Sequence, residues 1–491
     1  MKRFISIIFI TVLAGSCSED FLDRSPLAEL TEATFMTNEN DAFLATNAIY
    51  NTLRNWRISQ GGFPVLDIMS DDAAKGSNPG DGTQILPFDN FSFDPTDANL
   101  LGWYSTLFQA IRRANIVLEK VPGIDMDEEL KSRLLGEASV LRALAYFDLV
   151  RGWGDVPKIT TSNPALQVPR SPMEEIYEDI IIPDLEYGYA NLPEKSGYEA
   201  KDLGRVTKGV ARGLLAKVYL FLDDFTNAEK YSLEVINSGQ YDLMDDFSMA
   251  FSVAGEFGDE SVFEIPALPE NFENGGNQYA NTQAVRGTPN RGWGFNRPTL
   301  DLINAFDPDD PRMDKTITFL GEVLDGVLIL GDGSTPDSTY NSLDQLIQVE
   351  TYNEKIWTPG TTALESWQHN RRVLRYADIL LMAAESLNEN GNPSQALEYL
   401  NMVRERARDG IPGILPDITT TDQDELRDAI MQERRLELAL EGHRFFDLVR
   451  TGRAAEVLGL LGFVEGKHEL LPIPQTEIDL SQGILTQNPG W

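Results

Sequence analysis

Apolar residues recur at intervals of three and four over most of the chain, the period of helices with one buried face. The first such stretch is Asp41 to Trp56, where Phe43, Leu44, Ile49, Tyr50 and Leu53 share a side. The pattern returns over Leu101 to Val121 and Met126 to Val150. It stops at Gly152-Trp153-Gly154-Asp155-Val156-Pro157, where glycine supplies a cap and proline forbids continuation. Ser171-Pro172-Met173-Glu174 predicts a capped start for a further helix reaching about Asn191.

Thr207 to Gly239 and Val373 to Arg408 each read as helix, turn, helix. Ala216 and Ala228 flank the Asp223-Asp224 turn, and Ala384 and Ala396 flank Gly391-Asn392-Pro393; each alanine pair is twelve residues apart. In tetratricopeptide hairpins small residues at this interval let paired helices approach closely, and a generic antiparallel pair is the alternative. Residues 57–100 and 240–370 break the helical period with Gly, Asn, Asp and scattered aromatics. Ser261 to Ile265 and Gly326 to Leu330 are short strand-like runs within the second stretch. The predicted fold is mainly α, a tetratricopeptide-like helical-hairpin scaffold (about 41–56, 101–239 and 371–460) with a large loop-rich, short-strand insertion. Residues 41–491 read as a single domain, and the closing Trp491 predicts a docked C-terminus.

The N-terminus is of another kind. Lys2 and Arg3 precede an apolar run, Phe4 to Ala14, that falls short of the roughly 20 residues a membrane helix needs. It closes on Leu13-Ala14-Gly15-Ser16-Cys17, with Ala14 where lipoprotein processing sites usually carry Leu. The expectation is a signal peptide over 1–16, lipidation at Cys17 and a polar anchor and tether over 17–40. Cys17 is the only cysteine, so no internal disulfide can form. Ser18-Glu19-Asp20 resembles a surface-export signal. The predicted location is the outer membrane, lipid-anchored and facing the exterior.

With 41 basic and 77 acidic residues the net charge is −36, a field that repels nucleic acid and anionic ligands and favours a neutral one. Three histidines and one cysteine exclude Cys–His catalysis and Cys-rich metal sites. The chain lacks a Gly-x-Ser-x-Gly elbow, a phosphate loop and a dinucleotide fingerprint. The acidic turns Asp307-Pro308-Asp309-Asp310 and Asp332-Gly333-Ser334 lack EF-hand spacing and read as solvated loops. No cofactor and no metal is expected.

Several ordered blocks resemble the SusD/RagB family of outer-membrane glycan-binding lipoproteins. They are Leu141-Arg142-Ala143-Leu144-Ala145-Tyr146-Phe147 with the following Gly-Trp-Gly turn, Gly204-Arg205-Val206-Thr207, and Leu374-Arg375-Tyr376-Ala377-Asp378-Ile379-Leu380. Glu433-Arg434-Arg435-Leu436-Glu437 through Arg444-Phe445-Phe446-Asp447 and the closing Gln487-Asn488-Pro489-Gly490-Trp491 complete them. The resemblance implies four tetratricopeptide-like units. It also implies a partner, a TonB-dependent (SusC-like) outer-membrane transporter to which captured oligosaccharide is delivered. Glu433, Arg434, Glu441, Arg444 and Asp447, at helical spacing, read as a partly buried ion network rather than as catalytic groups.

A glycan presents flat C–H faces flanked by hydroxyls, so its binder needs open aromatic faces with polar side chains beside them. The first loop offers Asp71, Asp72, Lys75, Asn78, Gln84 and Phe88; the second offers Tyr279, Arg286, Trp293 and Phe295. Glycines around Trp293 suit an exposed platform or a wedge in a tight loop equally. Trp357, Trp367 and Arg371 could form a third wall, Trp103 and Trp153 read as core, and Trp56 is open. The reading is a glycan-binding protein that is not an enzyme. A helical glycoside hydrolase with two carboxylates is one competitor, and a helical-repeat scaffold for protein partners is another.

Overall fold

The computed structural model describes residues 36–270, 275–335, 338–360 and 368–491; the export segment, Cys17 and Trp367 lie outside them. Helix α1 (Glu39–Leu53) starts at Asn38, whose side chain accepts the Asp41 N–H. The long antiparallel pair α2 (Ala98–Lys120) and α3 (Glu128–Trp153) is capped by Asp97 and Asp127. Each cap carboxylate accepts an N–H that the first helical turn leaves unpaired. Helix α3 ends at Gly154, φ 68°, whose N–H returns to Val150. Trp103 and Trp153, both fully buried, meet edge to face at 5.0 Å, as expected of core residues.

Helix α4 (Ile182–Asn191) follows a short helical turn and a π-turn over Tyr177–Ile181. The two hairpins are α5 (Lys208–Phe221) with α6 (Phe225–Ile236), and α7 (Tyr376–Glu389) with α8 (Pro393–Ala407). Ala216, Ala228, Ala384 and Ala396 are all 0 % exposed, and α6 packs on α7, so the hairpins stack in series. The scaffold is thus mainly α and tetratricopeptide-like. Helices α9 (Gln423–Glu437) and α10 (Arg444–Arg450) continue it. The C-terminus is docked: Trp491 packs against Phe93 and His468, and its indole N–H donates to the carbonyls of Lys467 and Leu470.

The insertion is built from short strands: β1 (Ala73–Gly76), β2 (Ser261–Ile265), β3 (Phe295–Pro298), β4 (Ile317–Phe319), β5 (Val323–Leu324) and β6 (Val327–Leu328). They continue with β7 (Ser338–Tyr340), β8 (Leu346–Val349), β9 (Thr351–Asn353) and β10 (Arg371–Arg375). Among the described residues every sheet has two strands, all antiparallel. Strand β1 pairs with β3, β2 with β10, and β4 with β9, while β5–β6 and β7–β8 are hairpins.

Buried ion pairs join insertion to scaffold. Arg312 holds Asp310 and Glu433, at 2.9 and 2.6 Å, and Arg375 holds Glu260, Glu437 and Glu441. Lys355 reaches Glu441 at 2.7 Å, and Arg434 joins Asp378 to Asp447. Of the five residues expected to form one network, Arg434 and Asp447 pair directly, while Glu433, Glu441 and Arg444 bind Arg312, Arg375 and Asp71. The Asp307–Asp310 turn is in part a correction: Asp310 is buried against Arg312 rather than solvated.

Candidate functional site

A short helix, Tyr279–Gln283, is followed by a loop that folds back on it. Gly294 N–H donates to the Ala284 carbonyl at 3.0 Å, Trp293 N–H to Asn281 at 2.9 Å, and Arg291 N–H to Val285 at 2.8 Å. Gly292 makes the return possible. A methyl group there would lie 2.5 Å from the Asn281 oxygen and 2.7 Å from the Ala284 side chain. Gly294, at φ 73°, then turns its carbonyl to accept the Ser77 N–H at 2.6 Å, tying the loop to β1. The glycines thus wedge the loop base tightly, and the Trp293 indole at its tip is half-buried.

That indole leans on Phe63, ring centroids 6.5 Å apart, and Phe63 meets Phe295 edge-on at 4.8 Å. The rest of the Trp293 ring lines an open groove of about 640 Å³, within the range of roughly 300–1,000 Å³ common for small-ligand sites. Arg286 crosses this groove between Asp81, at 2.9 Å, and Asp332. Asp332 also accepts N–H groups from Ser334 and Thr335, at 2.7 and 2.6 Å. Burial raises its carboxyl, but these bonds and the Arg286 charge outweigh burial and hold it below the usual carboxylate range. Asp332 is thus engaged, not a solvated turn residue. Gln84 and Asn290 are exposed at the groove, with Ser77 and Ser334 beside them. Asn290 and Ser77 were not among the expected site residues, because nothing local distinguishes them from other polar loop positions.

Behind the groove lies a buried amide network. Asn296 donates to Asp67 at 3.1 Å and to Gln283 at 2.9 Å, and Asn353 donates to Gln283 at 2.9 Å. Asp67 also accepts the Gly442 N–H at 2.8 Å. Burial pushes its carboxyl up to about 7. The network fixes β3 and the Trp293 loop to the helical scaffold.

Of the expected contacts, Gln84, Arg286, Trp293 and Phe295 share the groove, and others are placed elsewhere. Asp71 is buried between Arg435 and Arg444, and Asp72 is paired with Arg435 at 2.7 Å. Lys75 is buried, its ammonium donating to the carbonyls of Asn78 and Asp81. Asn78 lies outside the groove and spends its side-chain oxygen on the Gly80 N–H. Phe88 is 0 % exposed and stacks on Phe93. Tyr279 packs with Ala280, Ala284 and Ile356, and burial raises its hydroxyl well above the usual range. Arg371 lines a separate pocket of about 70 Å³ with Asp148, Lys217 and His443, too small for a sugar ring. Trp357 lines a different groove from Trp293. The Trp293 groove therefore takes no third wall from these two residues. Trp56 lies beside Phe63, edge-on at 5.6 Å.

The SusD family profile matches residues 259–461, and a profile described as starch-binding associating with outer membrane matches residues 20–220. A SusD-like protein of Formosa agariphila is 30 % identical over 499 residues, covering 94 % of each chain. A solved laminarin-binding SusD-like protein superposes with a TM-score of 0.77 at 31 % identity, covering 93 % of this chain and 100 % of that one. Surface glycan-binding protein A from Bacteroides thetaiotaomicron, in complex with laminarihexaose, gives 0.76 at 26 % identity, covering 92 % and 100 %. Among the described residues no helix is long and apolar enough to cross a membrane. On sequence and fold together, the chain belongs to the SusD family.

Proposed function

We propose that this protein captures a neutral glycan at the outer face of an outer membrane and passes it, chemically unchanged, to a TonB-dependent transporter. The observation that carries the reading is the half-exposed Trp293 ring over a groove crossed by the Arg286 guanidinium. A sugar ring lays its C–H face on the indole while its hydroxyls meet Arg286, Gln84 and Asn290. The two groove carboxylates, Asp81 and Asp332, are both engaged by Arg286, which leaves neither free to serve as one of a glycosidase's pair of catalytic carboxyls. Laminarin is the first glycan to test, because the laminarin-binding relative has the same fold at 31 % identity.

Titration calorimetry of residues 18–491 with laminarin should give saturable binding without release of reducing ends. Trp293→Ala should lower affinity about tenfold or more, equivalent to about 1.4 kcal/mol. Unchanged affinity would remove Trp293 from the site. Residues 1–16 act as the signal and Cys17 as the lipid anchor in this reading. Accordingly, Cys17→Ser should move the protein from the membrane fraction to the soluble pool. A variant that stays with the membrane would refute the anchor.

A further inference from the structure

A second groove, of about 420 Å³, opens beside the β5–β6 hairpin. Trp357 forms one wall: it is half-buried, and its indole N–H donates to Asp325 in the hairpin turn. Val323, 61 % exposed, and the exposed Lys315 also line it, together with Ser252 and Glu354.

Two features join this groove to the one at Trp293. Arg291 stands between Asn290 and Gly292, which line the first groove, and its guanidinium lies over the Trp357 ring, 5.5 Å from the centroid. One chain segment also serves both: Val323, Leu324 and Asp325 line the second groove, Asp332 and Ser334 the first. The segment is held in place by mutual bonds, Leu330 N–H to the Thr288 carbonyl and Thr288 N–H to the Gly331 carbonyl, each 2.8 Å. The two aromatic walls are therefore fixed on a shared support.

We propose that the Trp357 groove is a second sugar subsite, taking later rings of the same polysaccharide whose first ring lies on Trp293. The inference rests on the glycan-binding reading above. A linear glycan repeats the same C–H faces and hydroxyls at each ring, so chemistry that suits Trp293 suits Trp357. Glu354 adds a donor: burial, then the nearby Glu322 charge, pushes its carboxyl up to about 8, leaving it protonated at neutral pH. Joining two weak subsites through one ligand raises affinity by making the second contact intramolecular.

The test is calorimetry with laminarin oligosaccharides of increasing length and with laminarin itself. Trp357→Ala should leave the shortest binding oligosaccharide unaffected and lower laminarin affinity about tenfold. Val323→Arg, at a position exposed enough to take the longer side chain, should do the same by placing a bulky cation in the groove mouth. If both variants bind laminarin as the wild type does, the second subsite is overturned while the Trp293 reading stands. Failure of Trp293→Ala to weaken any oligosaccharide would instead overturn the primary site.

Discussion

Gly292 shows how one residue without a side chain positions another with a large one. An added methyl group would press on the Asn281 carbonyl at 2.5 Å, and backbone on both sides is held by hydrogen bonds, so relief requires the loop to move. Gly292→Ala should therefore destabilise the fold by about 1–3 kcal/mol and weaken laminarin binding by displacing Trp293. Thermal unfolding and calorimetry on the same sample check both, and an unchanged melting temperature with unchanged affinity would refute the account. Trp293 was legible only as a residue at a close backbone approach, because its flanking glycines mark one. Asp71 and Asp72 were not. Acids in a loop look alike whether solvated or ion-paired, and their partners Arg435 and Arg444 lie more than 360 positions away. Phe88 fails for a related reason, since loop aromatics serve as readily in a core as on a surface.

The same contrast holds for elements. Helices announced themselves through local signals: apolar periodicity, a glycine and proline stop after Val150, and alanines twelve apart that prove fully buried in two stacked hairpins. The insertion gave little notice because its strands run two to five residues and pair over long separations, as β2 does with β10. Ion pairs hold these elements together. Arg375, at the junction of β10 and α7, is 2 % exposed and neutralises Glu437 and Glu441 of the α9 region and Glu260 beside β2. Arg375→Met would leave these carboxylates with fewer counter-charges and should cost about 3–5 kcal/mol at neutral pH. Burial pushes the Glu441 carboxyl up, but Arg375 and Lys355 outweigh it and hold it near about 2. A carboxylate depressed in the folded state stabilises fully above its unfolded pKa of about 4.3, and loses that contribution as pH falls through the folded value. The stability gap between wild type and Arg375→Met should thus be widest above about pH 4.3 and narrow towards pH 2. Urea midpoints measured across this range check the sign; a gap that widens in acid would refute it.

At the scale of the whole molecule, the interior ion pairs bear on the exterior charge. Arg312, Arg375, Arg406 and Arg434 are buried and the Arg450 side chain is only 6 % exposed, so they contribute to cohesion more than to the outward field. Their carboxylate partners are buried with them, so the outward field of a chain with net charge −36 comes from its remaining surface groups, in which acids outnumber bases. Such a field acts on charged ligands and is screened beyond about 8 Å at physiological ionic strength. It does no work on a neutral sugar, and binding one releases no condensed counterions. Laminarin affinity should consequently change by less than about twofold between roughly 0.05 and 0.5 M salt. A sulfated glycan should bind weakly at low salt and improve as the repulsion is screened. Calorimetry at matched buffer and varied sodium chloride distinguishes the cases. A steep loss of laminarin affinity with salt would mean that binding depends on an ionic contact the neutral-glycan mechanism does not contain.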